Sequence, residues 1–183
     1  MAEFPTLDTP RLLLRELVIA DAPALFAIHG DAIGMRWFGG DPMIDVRQAE
    51  RLIEAFASWR AMPNPGVRWG LVHKRDGELI GSCGLFKWNR SWKTCTVGYE
   101  LAQSARGAGL MHEALTAALD WGFDQMTLNR IEAQIHPDNA PSLKLAQTLG
   151  FVREGTAREA GFWQGAHHDL LHFSLLRRDW LHA

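Results

Sequence analysis

Cysteine is scarce in this sequence: only Cys83 and Cys95 occur in 183 residues, and both lie in strand-like runs. Two cysteines cannot build the dense disulfide framework that stabilises small secreted domains. The cysteine content therefore excludes that class of protein. It favours a reducing compartment, so we expect a cytoplasmic protein.

Long apolar runs and an excess of charge of one sign are also missing. No run of 18 apolar residues occurs, and the opening stretch MAEFPTLDTPRLLLREL lacks a basic start followed by an uninterrupted apolar segment. We therefore expect no membrane span and no signal peptide. The formal net charge is -2. This argues against a dedicated nucleic-acid-binding protein, because affinity for a phosphate backbone depends on clustered Lys and Arg.

What the sequence does contain is an ordinary globular composition, with 47% hydrophobic and 22% charged residues. No repeat or linker divides it, so we predict a single domain over residues 1–183. Apolar periodicity and capping residues predict the order β-αα-β-β-β-α-β-α-β-β, which is a mixed α/β arrangement around one sheet. Asp76-Gly77 predicts a hairpin, and Gly150 is expected to end the last helix. A loop is expected around residues 161–165, between the final two strands.

Two glycines and an arginine stand at an unusual place, the mouth of a predicted helix. In YELAQSARGAGLMHEAL (99–115), a strand-like run ends near Ala102 and a helix-like run starts near Leu110, with Arg106, Gly107 and Gly109 between them. The first N–H groups of a helix have no intrahelical acceptor, and the helix dipole adds positive charge there. Glycine lets a phosphate approach these groups closely. We interpret the turn as a pyrophosphate-binding site to which Arg106 adds charge and donors.

Three phosphate-binding patterns compete for this turn. The Walker pattern is absent from the chain. The dinucleotide pattern G-x-G-x-x-G fails because its third glycine would fall at His112. The third pattern is the Gln/Arg-x-x-Gly-x-Gly/Ala loop of acetyltransferases. Arg106 and Gly109 match it, while Met111 occupies the last position.

Four segments carry a resemblance over about residues 6–180: LDTPRLLLREL, VGYELAQSARGAGLMHEAL, NAPSLKLAQTLGFVREGTAR and DLLHFSLLRRDW. In this order they resemble the RimJ/RimL-like branch of the GNAT acetyltransferase superfamily. The resemblance implies an α/β (α+β) fold with one mixed, mostly antiparallel sheet of about seven strands and about four flanking helices. It also implies that the sheet splays between its fourth and fifth strands (93–101 and 130–136). Acetyl-CoA would lie in that opening.

The same resemblance implies where acetyl-CoA is bound. Backbone N–H groups of the loop and helix start would hold the pyrophosphate, and the preceding strand end would pair with the pantetheine arm like an added strand. Asn139 would contact the same arm, a role compatible with a plain helix N-cap. No metal is expected. The expected binding residues are Tyr99, Leu101, Ala102, Arg106, Gly107, Ala108, Gly109, Leu110, Met111, His112, Asn139 and Ser142.

The implied reaction is direct attack of a neutral amine on the acetyl group, so no protein nucleophile is expected. Strand alternation places Glu100 on the face opposite Tyr99 and Leu101, and we take Glu100 as the candidate base. The alternative is a strand-end glutamate in a structural ion pair. An α-amine with a pKa near 7.8 is about 14% neutral at pH 7, so it needs only a modest base.

The proton for the departing thiolate needs a donor. Many GNAT enzymes place a tyrosine in the helix after the fifth strand, and the corresponding position here is Ala146. Ser142, one turn earlier, is the candidate donor by resemblance to the RimJ/RimL-like branch. The alternative is a second hydroxyl at the helix start, with a structural role only.

Histidines and tryptophans give weaker signals. His167 and His168 are adjacent on a strand-like run and would point to opposite faces, so a metal site is not expected there. His136 is expected to be structural. Trp37 and Phe38 lie in the glycine-bounded loop MRWFGG, which is a candidate wall of the acceptor pocket because loops carry specificity.

The leading functional hypothesis is an acetyl-CoA-dependent N-acetyltransferase acting on the α-amine of a protein N-terminus. A small amine such as an amino acid, a polyamine or an antibiotic is the alternative acceptor. A catalytically weak acyl-CoA-binding module is a further alternative, and a nucleotide-binding oxidoreductase is disfavoured by the failed dinucleotide pattern. The last strand and the tryptophans offer surfaces for a homodimer, although no motif requires one.

Overall fold

One sheet organises the molecule. Its strands are β1 (Leu7–Asp8), β2 (Leu12–Glu16), β3 (Val67–His73), β4 (Leu79–Asn89), β5 (Thr94–Leu101), β6 (Arg130–Ile135), β7 (Val152–Trp163) and β8 (Ala166–Leu176). In this computed structural model, which describes residues 3–61 and 65–180, the strands lie in the order β1-β2-β3-β4-β5-β6-β8-β7. The predicted mixed, mostly antiparallel sheet is thereby confirmed. It has eight strands in place of about seven, because the two-residue β1 pairs with β2.

Helices cover both faces of this sheet. Within the described residues they are α1 (Ala22–His29), α2 (Ala32–Met35), α3 (Val46–Ser58), α4 (Leu110–Gln125), α5 (Ala140–Thr148) and α6 (Arg177–Trp180). Local sequence explains the ends of the longer ones. Asp45 and Gln48 form a capping box at the start of α3, and Gly150 follows α5 with a φ of +82°.

Alternate residues of the central strands separate the two faces. Trp69, Cys83 and Leu115 belong to the main apolar core under α4. A second, smaller core joins α1 to α3 around Leu25 and Ile53. The candidate functional residues therefore lie between two helical layers, and the sheet fixes which layer each side chain faces.

The sheet splays between β5 and β6, where the resemblance predicted it. These neighbours are the parallel pair, and they are joined only at Thr94, Cys95 and Thr96, opposite Arg130, Ile131 and Glu132. Beyond that point β5 continues along β4, and β6 continues along β8. A V-shaped opening follows, with one strand edge on each side.

The predicted Asp76-Gly77 hairpin is present between β3 and β4, with Gly77 at a φ of +73°. The last hairpin differs from its prediction. Residues 161–163 belong to β7, and the turn is only Gln164-Gly165, both with positive φ, so the glycines there do not mark a long loop. Strand β8 lies inside the sheet between β6 and β7. Strand β8 pairs with β6 over residues 171–176, and β7 forms that border of the sheet. The homodimer surface expected on the last strand stays a prediction.

Candidate active site

The glycine turn before α4 has the backbone that a phosphate site needs. Gly107 and Gly109 have φ values of +80° and +74°, and Gly109 is the N-cap of α4. A Cβ added to Gly107 would meet nothing within 4 Å, so the turn is open on that side. Because the first N–H groups of α4 have no intrahelical acceptors, they are free to bind an anion. The residues present fit the pyrophosphate of acetyl-CoA.

Arg106 does not present all its donors to this turn. Its Nε donates to the carbonyl of Leu101 at 3.0 Å, and its Nη2 donates to the carbonyl of Gly34 at 3.3 Å. Gln103 makes a parallel link, donating to Asp31 at 2.6 Å. Two of the five N–H donors of Arg106 are thus engaged within the protein, and its contribution to phosphate binding stays a prediction. The side chain ties the glycine turn to α2.

Arg11 is the cation that sequence reasoning missed. Its Nη1 donates to the carbonyl of Ala108 at 2.8 Å, and its Nε pairs with Glu113 at 2.6 Å. Glu113 also accepts from the Thr9 hydroxyl at 2.6 Å. Arg11 thus neutralises a carboxylate in the first turn of α4 and holds its guanidinium beside Gly109. The segment LDTPRLLLREL gave a family signal, but only the fold brings Arg11 to the glycine turn.

The strand end beside the opening is fixed on one side only. Tyr99, Glu100 and Leu101 pair with β4, and the Ala102 N–H donates to the carbonyl of Ile80 at 2.8 Å. No pairing with β6 is present in the described residues beyond Thr96. The free edge of β5 can therefore accept an extended, amide-bearing arm as an additional strand.

Across the opening, α5 places Asn139 and Ser142 at its start. The Asn139 Oδ1 accepts from the Ser142 N–H at 3.3 Å and caps the helix. The Ser142 Oγ lies 2.6 Å from the Tyr99 hydroxyl. Burial raises the pKa of Tyr99, and the hydrogen bond with Ser142 offsets part of that shift. Ala146 is buried in the core, so the tyrosine near Ser142 comes from β5.

Glu100 lies in a buried polar network under the end of α1. One carboxylate oxygen is 3.3 Å from His29 Nε2 and accepts from the Ser82 hydroxyl, while the other accepts from Arg68. Burial alone would raise the pKa of Glu100, but Arg68, His29 and Ser82 together outweigh it and the net pKa is lowered. The structure thus provides the ion pair considered as the alternative, and a base role for Glu100 stays a prediction.

Four rings form a cluster beyond the end of β6. This histidine–tryptophan cluster comprises Trp37, His136, Trp163 and His168. Trp37 stacks on His136 at 4.0 Å between ring centroids, and Trp163 stacks on His168 at 3.8 Å. The Trp163 Nε1 donates to the carbonyl of Arg36 at 3.0 Å. The cluster therefore fastens the loop of Trp37 and Phe38 to the β7–β8 hairpin.

Hydrogen bonds assign the proton positions in this cluster. The Asp138 N–H donates to His136 Nδ1 at 3.1 Å, so His136 carries its proton on Nε2 and donates to His168 Nδ1 at 3.3 Å. His168 then donates from Nε2 to the carbonyl of Trp163 at 3.2 Å. Burial, the largest cause, and His168 lower the pKa of His136, although Asp138 and Asp169 act in the opposite sense.

Neither cysteine is poised for chemistry. Cys83 and Cys95 are buried, and burial raises both pKa values, to about 12 for Cys83. Among the described residues, no group of three or more His, Cys, Asp or Glu side chains could hold a metal ion. None of the helices in the described part of the chain combines the length and apolar character needed to cross a bilayer.

Comparison with known proteins agrees with this geometry. The acetyltransferase (GNAT) domain family matches residues 11–152. The uncharacterized N-acetyltransferase p20 of Bacillus licheniformis is 33% identical over 175 residues, which cover 96% of this chain and 98% of p20. The ribosomal protein uS5-alanine N-acetyltransferase of Escherichia coli is 34% identical over 113 residues, which cover 61% of this chain and 58% of that enzyme.

A solved structure shares the fold. The spermidine N-acetyltransferase of Vibrio cholerae, crystallised with CoA and spermine, has a TM-score of 0.81 at 22% identity and covers 94% of this chain and 99% of that one. The chain belongs to the GNAT acetyltransferase family. It is an acetyl-CoA-dependent N-acetyltransferase, and the resemblance to GNAT enzymes, including ribosomal-protein N-acetyltransferases, is confirmed.

Proposed function

We propose that the protein acetylates the α-amine of a protein N-terminus. The observation that carries this acceptor class is the state of Glu100, whose carboxylate is buried, hydrogen-bonded through both oxygens and lowered in pKa. Such a carboxylate is a weak base. An α-amine with a pKa near 7.8 is already about 14% neutral at pH 7, whereas an amine with a pKa near 10.4 is about 0.04% neutral. A weak base is therefore sufficient for an α-amine acceptor.

The relative that acts on ribosomal protein uS5-alanine supports the same acceptor class. Its match covers about three fifths of this chain, in which 34% of the aligned residues are identical. The loop of Trp37 and Phe38, held by the histidine–tryptophan cluster, would then border the groove that receives the N-terminal residue.

At the cofactor end, we propose that the backbone N–H groups of residues 106–112 bind the pyrophosphate. The individual assignments are Arg106, Gly107, Ala108, Gly109, Leu110, Met111 and His112. The guanidinium of Arg11, which offsets the charge of Glu113, lies beside this loop. The free edge of β5 at Tyr99, Leu101 and Ala102 would pair with the pantetheine arm, and Asn139 would contact the same arm while capping α5.

At the chemical end, we propose that the amine nitrogen attacks the acetyl carbon and that the bond from this carbon to sulfur then breaks. Glu100 takes up the amine proton, acting with His29 or through water, since its own oxygens are bonded within the network. The Ser142 hydroxyl gives a proton to the departing sulfur. Each residue thus serves one of the two proton transfers that the reaction requires.

Two other functions remain distinct from this proposal. A small amine is the alternative acceptor, in keeping with the fold shared with a spermidine N-acetyltransferase. A catalytically weak acyl-CoA-binding module would keep the glycine turn and the free edge of β5 but transfer no acetyl group. We also propose a cytoplasmic location and a single domain over residues 1–183.

An acceptor screen with acetyl-CoA tests the proposed function. We expect thiol release and a singly acetylated product with short peptides that begin with free Ala or Ser, and little with spermidine or free amino acids. The same peptides with a blocked N-terminus but an internal Lys serve as the control. Faster acetylation of spermidine would establish the small-amine alternative, and CoA binding without transfer to any amine would establish the binding module.

A further inference from the structure

The only tyrosine among the 183 residues is Tyr99, and its hydroxyl lies 2.6 Å from Ser142 Oγ. The two residues come from opposite sides of the opening, β5 and the first turn of α5. Their contact joins the strand edge proposed for the pantetheine arm to the hydroxyl proposed for the thiolate. Tyr99 was expected to contribute only through its backbone.

The chemistry of the two hydroxyls favours one direction for this hydrogen bond. A phenol, with an ordinary pKa of about 10, is far more acidic than an alcohol and is the better donor. Burial raises the pKa of Tyr99, so the phenol stays protonated at neutral pH. If Tyr99 donates, Ser142 Oγ accepts, and its own hydrogen is left to point elsewhere.

The position of Ser142 is fixed independently. Its N–H donates to Asn139 Oδ1, which holds the first turn of α5 in place. The rotation of the hydroxyl group is the remaining freedom of this side chain, and the hydrogen bond with Tyr99 restricts that rotation. Ser142 is half-buried, so a hydrogen that points away from Tyr99 can be directed to a group in the opening.

We propose that Tyr99 is a positioning residue for the acetyl transfer, which orients the Ser142 hydroxyl toward the departing sulfur and resupplies its proton. As the carbon–sulfur bond breaks, the electron pair goes to sulfur, sulfur takes the Ser142 proton, and Ser142 takes the Tyr99 proton. The phenolate then regains a proton from water. This inference rests on the proposed role of Ser142. It gives a tyrosine a part in protonating the thiolate, although Ala146 occupies the α5 position at which many GNAT enzymes place their tyrosine.

The first test is a double-mutant cycle of Tyr99→Phe and Ser142→Ala, measured with acetyl-CoA and the best acceptor of the screen. Tyr99→Phe keeps the ring, so we expect a fall in kcat of about tenfold with an unchanged KM for acetyl-CoA. If Tyr99 acts through Ser142, the double variant loses no more than Ser142→Ala alone. Thr96→Val, which deletes a hydroxyl elsewhere on β5, is the matched control and should retain kcat.

The second test needs no acceptor. Because Tyr99 is unique, isotope labelling at the ζ carbon of tyrosine gives one NMR resonance for the whole protein. We expect it to shift in Ser142→Ala, and to shift on addition of CoA more than on addition of desulfo-CoA. Thermal stabilisation by both compounds confirms that they bind.

Outcomes separate this inference from the proposed function. An unchanged kcat in Tyr99→Phe, additive losses in the cycle, or equal shifts with CoA and desulfo-CoA would overturn the role of Tyr99 while leaving the acetyltransferase intact. Acetylation of the peptides with a blocked N-terminus, or the absence of any transfer, would overturn the proposed acceptor instead. The difference in NMR shift between CoA and desulfo-CoA would still test the role of Tyr99.

Discussion

Gly109 shows how a single backbone position prepares a site. At a φ of +74° it begins α4 in the left-handed region, which glycine adopts freely and Asn or Asp tolerate. A Cβ at this position would have only Arg11 Nη2 nearby, at 3.7 Å. Space for a small side chain therefore exists, and the charge of that side chain can be tested separately from its shape.

Changing Gly109→Asp should abolish CoA binding, because a carboxylate would fill the anion site and pair with Arg11. Gly109→Asn has the same shape without the charge and should retain much of the binding. Calorimetric titration with CoA measures both, and circular dichroism checks that both variants fold. Wild-type affinity in the Asp variant would contradict the placement of the pyrophosphate.

Glu100 illustrates a residue whose structural role and proposed chemical role coincide. The buried ion pair with Arg68 makes any change at Glu100 expensive, because removing one charge strands the other and costs about 3–5 kcal/mol. Since the pKa of Glu100 is lowered, its contribution to stability is present above the pKa of an unfolded Glu and is lost as pH falls through the lower folded value.

Glu100→Gln should lower both stability and kcat/KM, the latter by about tenfold to a hundredfold. The loss of kcat/KM should be greatest at pH values at which the acceptor amine is still protonated. Ser82→Ala removes one hydrogen bond to the same carboxylate but keeps both charges, so it serves as the control. Rates are compared across pH, well below the melting temperature of each variant. An unchanged pH profile in Glu100→Gln would rule out the base role.

At the scale of elements, the segment 31–41 is fastened at two ends. Gln103 and Arg106, in the loop before α4, bond to its start. Near its other end, Trp163 donates to the carbonyl of Arg36, and the N–H of Gln164 donates to Asp41 at 2.6 Å. The proposed cofactor loop and the last hairpin therefore hold the same segment, which we propose to border the acceptor.

Acid should loosen the hairpin end of this segment. The pKa of His136 is lowered in the fold, so the unfolded chain binds protons more readily than the native protein. The contribution of His136 to the free energy of unfolding is complete above about pH 6.5 and falls as pH drops from there through its lower folded value.

His136→Asn should flatten this pH dependence. Asn can still accept from the Asp138 N–H but does not titrate. His167→Asn, at an exposed neighbour of His168 on β8, should leave the dependence unchanged. Urea unfolding at a series of pH values below 7 measures the slope. Equal slopes for wild type and His136→Asn would show that the cluster does not sense acid.

At the scale of the whole molecule, the sheet consists of two parts joined by few bonds. Strands β1 to β5 and strands β6 to β8 meet at only three residue pairs, and α4 packs in the core that spans both. A ligand that lies in the opening and contacts β5, α4 and α5 would bridge the two parts. Binding to this native arrangement should stabilise the entire fold.

CoA at about one hundred times its dissociation constant should add about 2.7 kcal/mol to the free energy of unfolding. For a domain of this size that corresponds to a rise in Tm of roughly 5–11 °C. Differential scanning calorimetry measures the shift, with Gly109→Asp as the variant that should show none. A Tm independent of CoA concentration would contradict binding in the opening.

The sequence by itself determined the local elements, because their signals act over a few residues. The Asp76-Gly77 hairpin, the helix that begins after Gly109 and the helix that Asn139 caps follow from turn geometry and unpaired N–H groups, which neighbouring residues fix. The order of four motifs was enough to indicate the family and the splay. The prediction of a loop around residues 161–165 was wrong, because two positive φ values at Gln164-Gly165 close the hairpin in a short turn.

Only the tertiary structure decided which side chains meet. Donors of Arg106 turn to Leu101 and Gly34, Arg11 reaches the proposed phosphate loop from the turn between β1 and β2, and Tyr99 crosses the opening to Ser142. The contacts of Arg106 with Gly34, of Arg11 with Ala108 and of Tyr99 with Ser142 have no local signature, since each joins segments that are far apart in sequence. Side-chain hydrogen bonds form wherever folding places partners within reach, and that placement is a property of the whole core.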